Sequence, residues 1–148
     1  MPIAPANVID ALNSLLEAEL NSIFRFVEDG FPYLNRASAN VRKTISELAT
    51  LSHKHATELA DLIDSLGGVV LPRHVVRPEG QYLAYLSLEF LLPKMVVEKE
   101  LLLERYKNTR LFIGSGNPEI VAVLDPIIAE QEQYLQRLRK AAELRHAS

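Results

Sequence analysis

Charged and polar side chains interrupt the apolar faces of four predicted helices, each near the middle of its helix. Glu19 lies on the first face, Ser52 and His55 on the second, Lys99 on the third and Gln131 on the fourth. A buried charge is costly unless an opposite charge or a hydrogen-bond partner meets it. We therefore expect the carboxylate, the ammonium and the imidazole to meet in one polar cluster, where their chemistry is ion pairing and hydrogen bonding.

Each of these residues has an ordinary alternative when it is taken alone. Lys99 can extend its alkyl chain along the surface and place its ammonium in water. His55 can bond a backbone carbonyl, and Gln131 can be partly exposed. Polar positions on four helices at one level favour a shared cluster over four separate explanations.

Apolar residues that recur at spacings of three and four place these side chains on amphipathic helices. Glycine and proline divide the chain into four such segments. They run from about Asn7 to Phe31, from about Ser38 to Leu66, from about Gln81 to Asn108, and from Asn117 through Leu138. Asn7 and Asn117 are expected to cap their helices, whereas Pro93 and Asp125-Pro126 are expected to kink or interrupt theirs.

The four segments have similar lengths and are joined by short, long and short connections. The long connection, from Gly67 to Gly80, contains two prolines and no helical periodicity. No segment shows the alternation that is typical of strands. We therefore predict an all-α, antiparallel four-helix bundle, formed by residues 1–148 as one domain, in which a long crossover joins the second and third helices.

The composition limits the classes of function. A chain of 148 residues with a net charge of -3 and no basic stripe is not expected to bind nucleic acid. It has no cysteine, which excludes disulfides, thiolate metal sites and a cysteine nucleophile, and which suits a reducing compartment. Its apolar stretches are too short to span a membrane, and its first residues lack the pattern of a signal peptide. We predict a cytoplasmic protein that binds neither membranes nor nucleic acid.

Two local motifs accompany this arrangement of helices. The first helix contains Leu15-Leu16-Glu17-Ala18-Glu19-Leu20-Asn21-Ser22-Ile23, and the second contains Ser52-His53-Lys54-His55-Ala56 followed by Leu62-Ile63-Asp64-Ser65-Leu66-Gly67-Gly68. Over essentially the whole chain, the arrangement of the helices and these motifs resemble the ferritin-like superfamily of bacterioferritin- and rubrerythrin-type bundles. The resemblance is closest to the bacterioferritins. The resemblance implies a di-iron site and iron oxidation. It places Glu19 and His55 at two ligand positions, and Ser52 where that family has a bridging glutamate.

The other two helices depart from the pattern of that family. In the fourth helix, the segment Ile127-Ile128-Ala129-Glu130-Gln131-Glu132-Gln133-Tyr134-Leu135 is similar to the second Glu-x-x-His motif, but the inward register puts Gln131 and Tyr134 at its ligand positions. In the third helix, the inward residue at the glutamate position is Lys99. A di-iron site of this family needs about four carboxylates and two imidazoles. A lysine instead adds a positive charge where the cations would bind.

The sequence therefore predicts a degenerate site that holds no metal. In this hypothesis Glu19 pairs with Lys99 across the core. The remaining donors and acceptors are satisfied by Ser52, His55, Gln131 and Tyr134. The chain is then a non-catalytic bundle that acts structurally, by assembly or by binding a partner.

The resemblance leaves an alternative and two further hypotheses. If Lys99 reaches solvent, an iron-binding oxidoreductase or storage protein could use Glu19, His55, Glu98 and Glu130. His53 stands at the position of the haem ligand of bacterioferritins, so a haem shared between two subunits is a further hypothesis. Because the side of the second helix around His53 carries small residues, we also predict a homodimer formed through helix faces.

Overall fold

Four α-helices make up most of the chain in the computed structural model, which describes residues 5–22, 39–71 and 88–146. They are α1 (Ala6–Leu20), α2 (Ala39–Ser65), α3 (Leu88–Ile113) and α4 (Pro118–His146). No β-strand occurs within the described ranges. The prediction of an all-α four-helix bundle is confirmed.

Contacts between the helices fix their directions. The hydroxyl of Ser52 on α2 bonds Glu19 near the end of α1, and Gly68, just after α2, lies against Ile9 near the start of α1. These two helices are therefore antiparallel. Ion pairs show that α4 is antiparallel to both α2 and α3. The pairs Lys54–Glu130 and Glu47–Arg137 join α2 to α4, and the pairs Arg110–Asp125 and Glu100–Arg139 join α3 to α4.

As a result, α2 and α3 point in the same direction. The predicted crossover between them falls on residues 72–87, which lie outside the described residues, so the crossover stays a prediction.

The core consists of the apolar faces from which the helices were predicted. Its most deeply buried side chains are mainly leucine and isoleucine, contributed by all four helices. They include Leu12, Leu48, Leu59, Ile63, Met95, Leu124, Ile127 and Leu138. Full burial of one such side chain contributes about 1.5–3 kcal/mol, so this packing is the main favourable term in the stability of the bundle.

Glycines end two of the helices. Gly67 after α2 and Gly114 after α3 have positive φ angles of 82° and 73°, a backbone conformation that residues with a Cβ rarely adopt. Gly68 is needed for a different reason, since a Cβ at this position would lie 2.7 Å from Cγ2 of Ile9. The turn after α2 can thus pack directly against α1.

The helix starts and prolines differ in part from the sequence expectations. Asn117 caps α4, because its Oδ1 accepts hydrogen bonds from the backbone N–H groups of Glu119 (3.1 Å) and Ile120 (3.4 Å). The expectation for Asn7 was wrong, since α1 begins at Ala6 and Pro5 precedes it. No interruption occurs at Pro93 or Pro126. Both prolines are exposed, and both helices continue through them.

The ends of α1 and α3 also differ from expectation. Within the described residues, α1 ends at Leu20, where both the backbone and the side chain of Asn21 donate to the carbonyl of Glu17. The predicted helical residues 23–31 lie outside the described residues, as do 81–87. At its other end α3 continues past Asn108 to Ile113, and Gly114 then stops it.

Asn13 joins α1 to the segment that follows α2. Its Nδ2 donates to the carbonyl of Val69, and its Oδ1 accepts from the backbone N–H of Leu71, both at 3.0 Å. This side chain is buried, and it satisfies one backbone carbonyl and one backbone N–H of the segment after α2. Asn13 therefore sets the path on which the chain leaves α2.

Among the described helices, none combines the length and the apolar character that a membrane crossing requires.

Candidate functional site

The carboxylate of Glu19 lies at the centre of the bundle, and the residue has no exposure to solvent. Its Oε2 accepts a hydrogen bond of 2.8 Å from the hydroxyl of Ser52 on α2. Its Oε1 accepts from the hydroxyl of Tyr106 on α3 at 2.9 Å and from the amide of Gln131 on α4 at 3.1 Å. Because each of the other three helices supplies one donor, this carboxylate links all four helices.

Lys99 is the buried cation of the same core. It is fully buried, as Glu19 is, and the two charges act on each other. Burial lowers the pKa of Lys99 below its ordinary value of 10.5, and the negative charge of Glu19 opposes that effect. The positive charge of Lys99 in turn lowers the pKa of the Glu19 carboxyl.

The pKa of Glu19 shows which effects dominate in the cluster. Burial alone would raise it, but the hydrogen bond with His55 and the charges of Lys99 and His55 lower it, and so does the bond from Ser52. The result is a pKa below the ordinary value of 4.5. Burial and the same negative charge raise the pKa of Tyr106 well above 10, so this phenol stays a donor. Glu19 is thus a buried, ionised acceptor.

His55 lies between a buried and a surface carboxylate. Its Nδ1 is 3.5 Å from Oε1 of Glu19, and its Nε2 is 3.8 Å from Oε1 of Glu130. Among the described residues Nε2 has no hydrogen-bond partner, although the ring is fully buried. The ammonium of Lys54 lies 3.2 Å from both oxygens of Glu130, so a surface cation already neutralises that carboxylate.

Five of the six predicted cluster residues come together in the core, and the sixth, Tyr134, does not. The ring of Tyr134 is half-buried, and the guanidinium of Arg137 stacks over it at 4.8 Å from the ring centre. Arg137 also binds Glu47 on α2 at 2.6 Å. Tyr134 therefore belongs to a surface contact between α2 and α4, because the ion pair there holds its ring outside the cluster.

Tyr106 supplies the phenol that the sequence analysis did not assign to the cluster. The signal that could have identified it is its position seven residues after Lys99, two helical turns along the same face. A buried tyrosine hydroxyl usually finds a hydrogen-bond partner, and here that partner is Glu19.

The remaining candidate residues lie outside this cluster. Glu98 lines an open groove between α1 and α3, together with Glu17, Leu101 and Arg105. Glu130 is 31% exposed. His53 is exposed on α2, and the haem hypothesis for it stays a prediction.

The side chains present do not fit a di-iron centre. Both oxygens of Glu19 are already engaged by protein donors, and the ammonium of Lys99 is buried in the same core. Within the described ranges, no group of three or more histidine, aspartate and glutamate side chains is arranged to hold a metal ion. What the arrangement can do chemically is hold one ionised carboxylate among neutral donors and cations.

The chain was compared with family models, with curated proteins and with solved structures. None of these three comparisons gives a match.

Proposed function

We propose that this chain is a non-catalytic, ferritin-like bundle in which a hydrogen-bonded charge cluster takes the place of a di-iron centre. In this proposal the cluster stabilises the bundle, and the chain acts structurally, through assembly or by binding a partner. The observation that carries the proposal is the state of Glu19. Its carboxylate is bound by donors from three other helices, and a buried lysine balances its charge.

Replacing these partners of Glu19 by a metal ion carries two costs. A cation that approached Glu19 would have to displace the hydroxyls of Ser52 and Tyr106, and it would meet the ammonium of Lys99. Displacement leaves buried donors without an acceptor, and the two positive charges repel each other at low dielectric. Both effects act against metal binding at this position.

A second candidate function is an iron-binding oxidoreductase or storage protein. The observation that favours it is the buried Nε2 of His55, which faces Glu130 at 3.8 Å and has no hydrogen-bond partner in the described part of the chain. With Glu19 on the other side of the ring, this would give an atypical site that uses Glu19, His55 and Glu130. Glu98, the fourth residue of that hypothesis, lines the groove between α1 and α3.

Anaerobic loading of the full chain with Fe(II), followed by desalting and metal analysis, separates the two functions. We expect no more retained iron than in a Glu130→Gln variant, and no ferroxidase turnover when oxygen is admitted. Glu132→Gln is the matched control, because Glu132 lies on the same helix but binds Lys107 at the surface. Near-stoichiometric iron that is lost in Glu130→Gln and kept in Glu132→Gln would overturn the proposal.

We propose a homodimer formed through helix faces, a cytoplasmic location and no nucleic-acid partner. The composition supports these statements, since the chain has no cysteine and a net charge of -3.

A further inference from the structure

The open groove between α1 and α3 is separate from the charge cluster of the core. It has a volume of about 540 Å³, and Glu17 of α1 lines it together with Leu101 and Arg105 of α3. Glu17 precedes the buried Glu19 by two residues, so the two side chains leave α1 on opposite sides. None of the cluster residues lines the groove.

Small side chains on α1 leave room for this groove. Ser14, Ala18 and Ser22 recur every four residues and therefore form one strip along the surface of α1. Over the described residues, α3 packs more extensively against α4 than against α1. The space between α1 and α3 is thus part of how the helices are arranged.

Two opposite charges line the groove without meeting. The hydrogen bond between Glu19 and Tyr106 places Glu17 and Arg105 within about one helical turn of each other along the antiparallel helices. Neither side chain forms an ion pair with any described residue. The charges that face each other between α3 and α4 do pair, at Glu100–Arg139, Lys107–Glu132 and Arg110–Asp125.

The groove therefore offers three kinds of contact to one small molecule. The carboxylate of Glu17 can accept hydrogen bonds from an ammonium group, and the guanidinium of Arg105 can bind a carboxylate through two parallel hydrogen bonds. Leu101, which is 57% exposed, offers an apolar surface in the same groove. A volume of this size is typical of small-molecule sites. A ligand with a single charge would satisfy one of the two walls and be repelled by the other.

We propose that this groove binds a small zwitterion, with its ammonium on Glu17, its carboxylate on Arg105 and its apolar part on Leu101. The class of ligand includes free amino acids. This inference goes beyond the proposed function and does not depend on it, because the groove contains no residue of the cluster. Iron loading and zwitterion binding are separate measurements, so either proposal can fail while the other holds.

Titration of the ¹⁵N-labelled full chain, followed by amide chemical shifts, tests the site. The probes are L-leucine, γ-aminobutyrate and ε-aminocaproate, which differ in the distance between ammonium and carboxylate. We expect at least one of them to bind with a Kd of about 1 mM or tighter and to shift the amides of Ala18 and Leu101. Isocaproate, which lacks the ammonium of leucine, and isoamylamine, which lacks its carboxylate, should bind about tenfold more weakly or not at all.

Variants of the two charged residues assign the contacts. Glu17→Gln and Arg105→Gln should each weaken binding of the zwitterion about tenfold or more. Neither residue is buried, so circular dichroism should show unchanged helicity. Glu104→Gln is the matched control, because Glu104 is exposed beside Arg105 but lines the groove on the other side of α3, and it should leave the Kd unchanged.

Three results would overturn the proposal. The first is the absence of saturable shifts at Ala18 and Leu101 with all three zwitterions. The second is binding of isocaproate or isoamylamine as tight as that of leucine. The third is a Kd that stays the same in both Glu17→Gln and Arg105→Gln.

Discussion

Glu19 remains ionised in a hydrophobic core because its partners outweigh the cost of burial. Water would solvate a carboxylate with several hydrogen bonds, and here Ser52, Tyr106 and Gln131 replace that solvation. The charge of Lys99 supplies the remaining stabilisation, and it does so in a region of low dielectric where such effects are strong. Loss of any one partner therefore lowers the stability of the bundle, since the cost of burying the carboxylate is then no longer fully offset by hydrogen bonds.

This makes the stability of the protein dependent on pH through Glu19. The pKa of Glu19 is lower in the folded chain than the ordinary value of 4.5. Below pH 4.5 the unfolded chain binds more protons than the folded one, so acid favours unfolding. The stabilisation is complete above pH 4.5 and is lost as the pH falls through the folded pKa. Urea unfolding between pH 7 and pH 3 should show a smaller acid loss in Glu19→Gln than in the natural chain. In Glu132→Gln, an exposed control, the acid loss should be unchanged.

Tyr106 offers a second test at the same scale. Tyr106→Phe removes one donor to an ionised carboxylate and leaves no new unsatisfied group on the ring. We expect a loss of about 1–2 kcal/mol in the free energy of unfolding, measured by urea denaturation. Tyr134→Phe is the matched control and should cost less than about 0.5 kcal/mol, because the partners of Tyr134, Glu47 and Arg137, are partly exposed to water. Equal losses in the two variants would contradict the assignment of Tyr106 to the cluster.

At the scale of elements, the helices are held in register by polar contacts at defined levels as well as by the core. Asn13 fixes the segment after α2 against α1, and Arg110 joins the end of α3 to α4 by binding Asp125 and the carbonyl of Gly114. Such contacts lie at helix ends, where backbone groups lack partners within the helix. They fix the path of the chain where it leaves α2 and α3.

Replacing Asn13 by alanine should loosen the segment after α2 more than it loosens the bundle. Two hydrogen bonds are lost, and the carbonyl of Val69 and the amide of Leu71 must find water instead. We expect a loss of about 1–3 kcal/mol on urea unfolding and faster hydrogen exchange at the amide of Leu71. Asn108→Ala, which alters an exposed asparagine of α3, should change neither quantity. Unchanged exchange at Leu71 in Asn13→Ala would show that other contacts hold this segment.

For the whole molecule, the sequence predicts the class of fold because the apolar spacing of three and four persists over most of the chain. Glycines at Gly67 and Gly114 mark helix ends for a reason that is visible in the sequence, since only glycine adopts their positive φ readily. The interruptions expected at Pro93 and Pro126 do not occur, because one missing hydrogen bond in an exposed turn costs less than the packing of the whole helix contributes.

The candidate site is predictable to a lesser extent, and two tyrosines show why. Helical register places Tyr106 and Tyr134 on inward faces, but it does not show which partner the hydroxyl of each tyrosine reaches. Tyr134 meets Arg137 and Glu47 at the surface, and Tyr106 meets Glu19 inside. Which tyrosine joins the cluster depends on partners from other helices, and single-helix periodicity contains no information about them.

The measurement that tests the account most directly is a double-mutant cycle between Glu19 and Lys99. It compares the free energies of unfolding, by urea at neutral pH, of the natural chain, Glu19→Gln, Lys99→Met and the combined variant. Removing one member of a buried pair leaves the other charge uncompensated, so we expect Glu19→Gln to cost about 3 kcal/mol. The combined variant should be less destabilised than the sum of the single variants by at least about 1 kcal/mol. Additivity to within about 0.5 kcal/mol would contradict the claim that these two charges stabilise each other in the core.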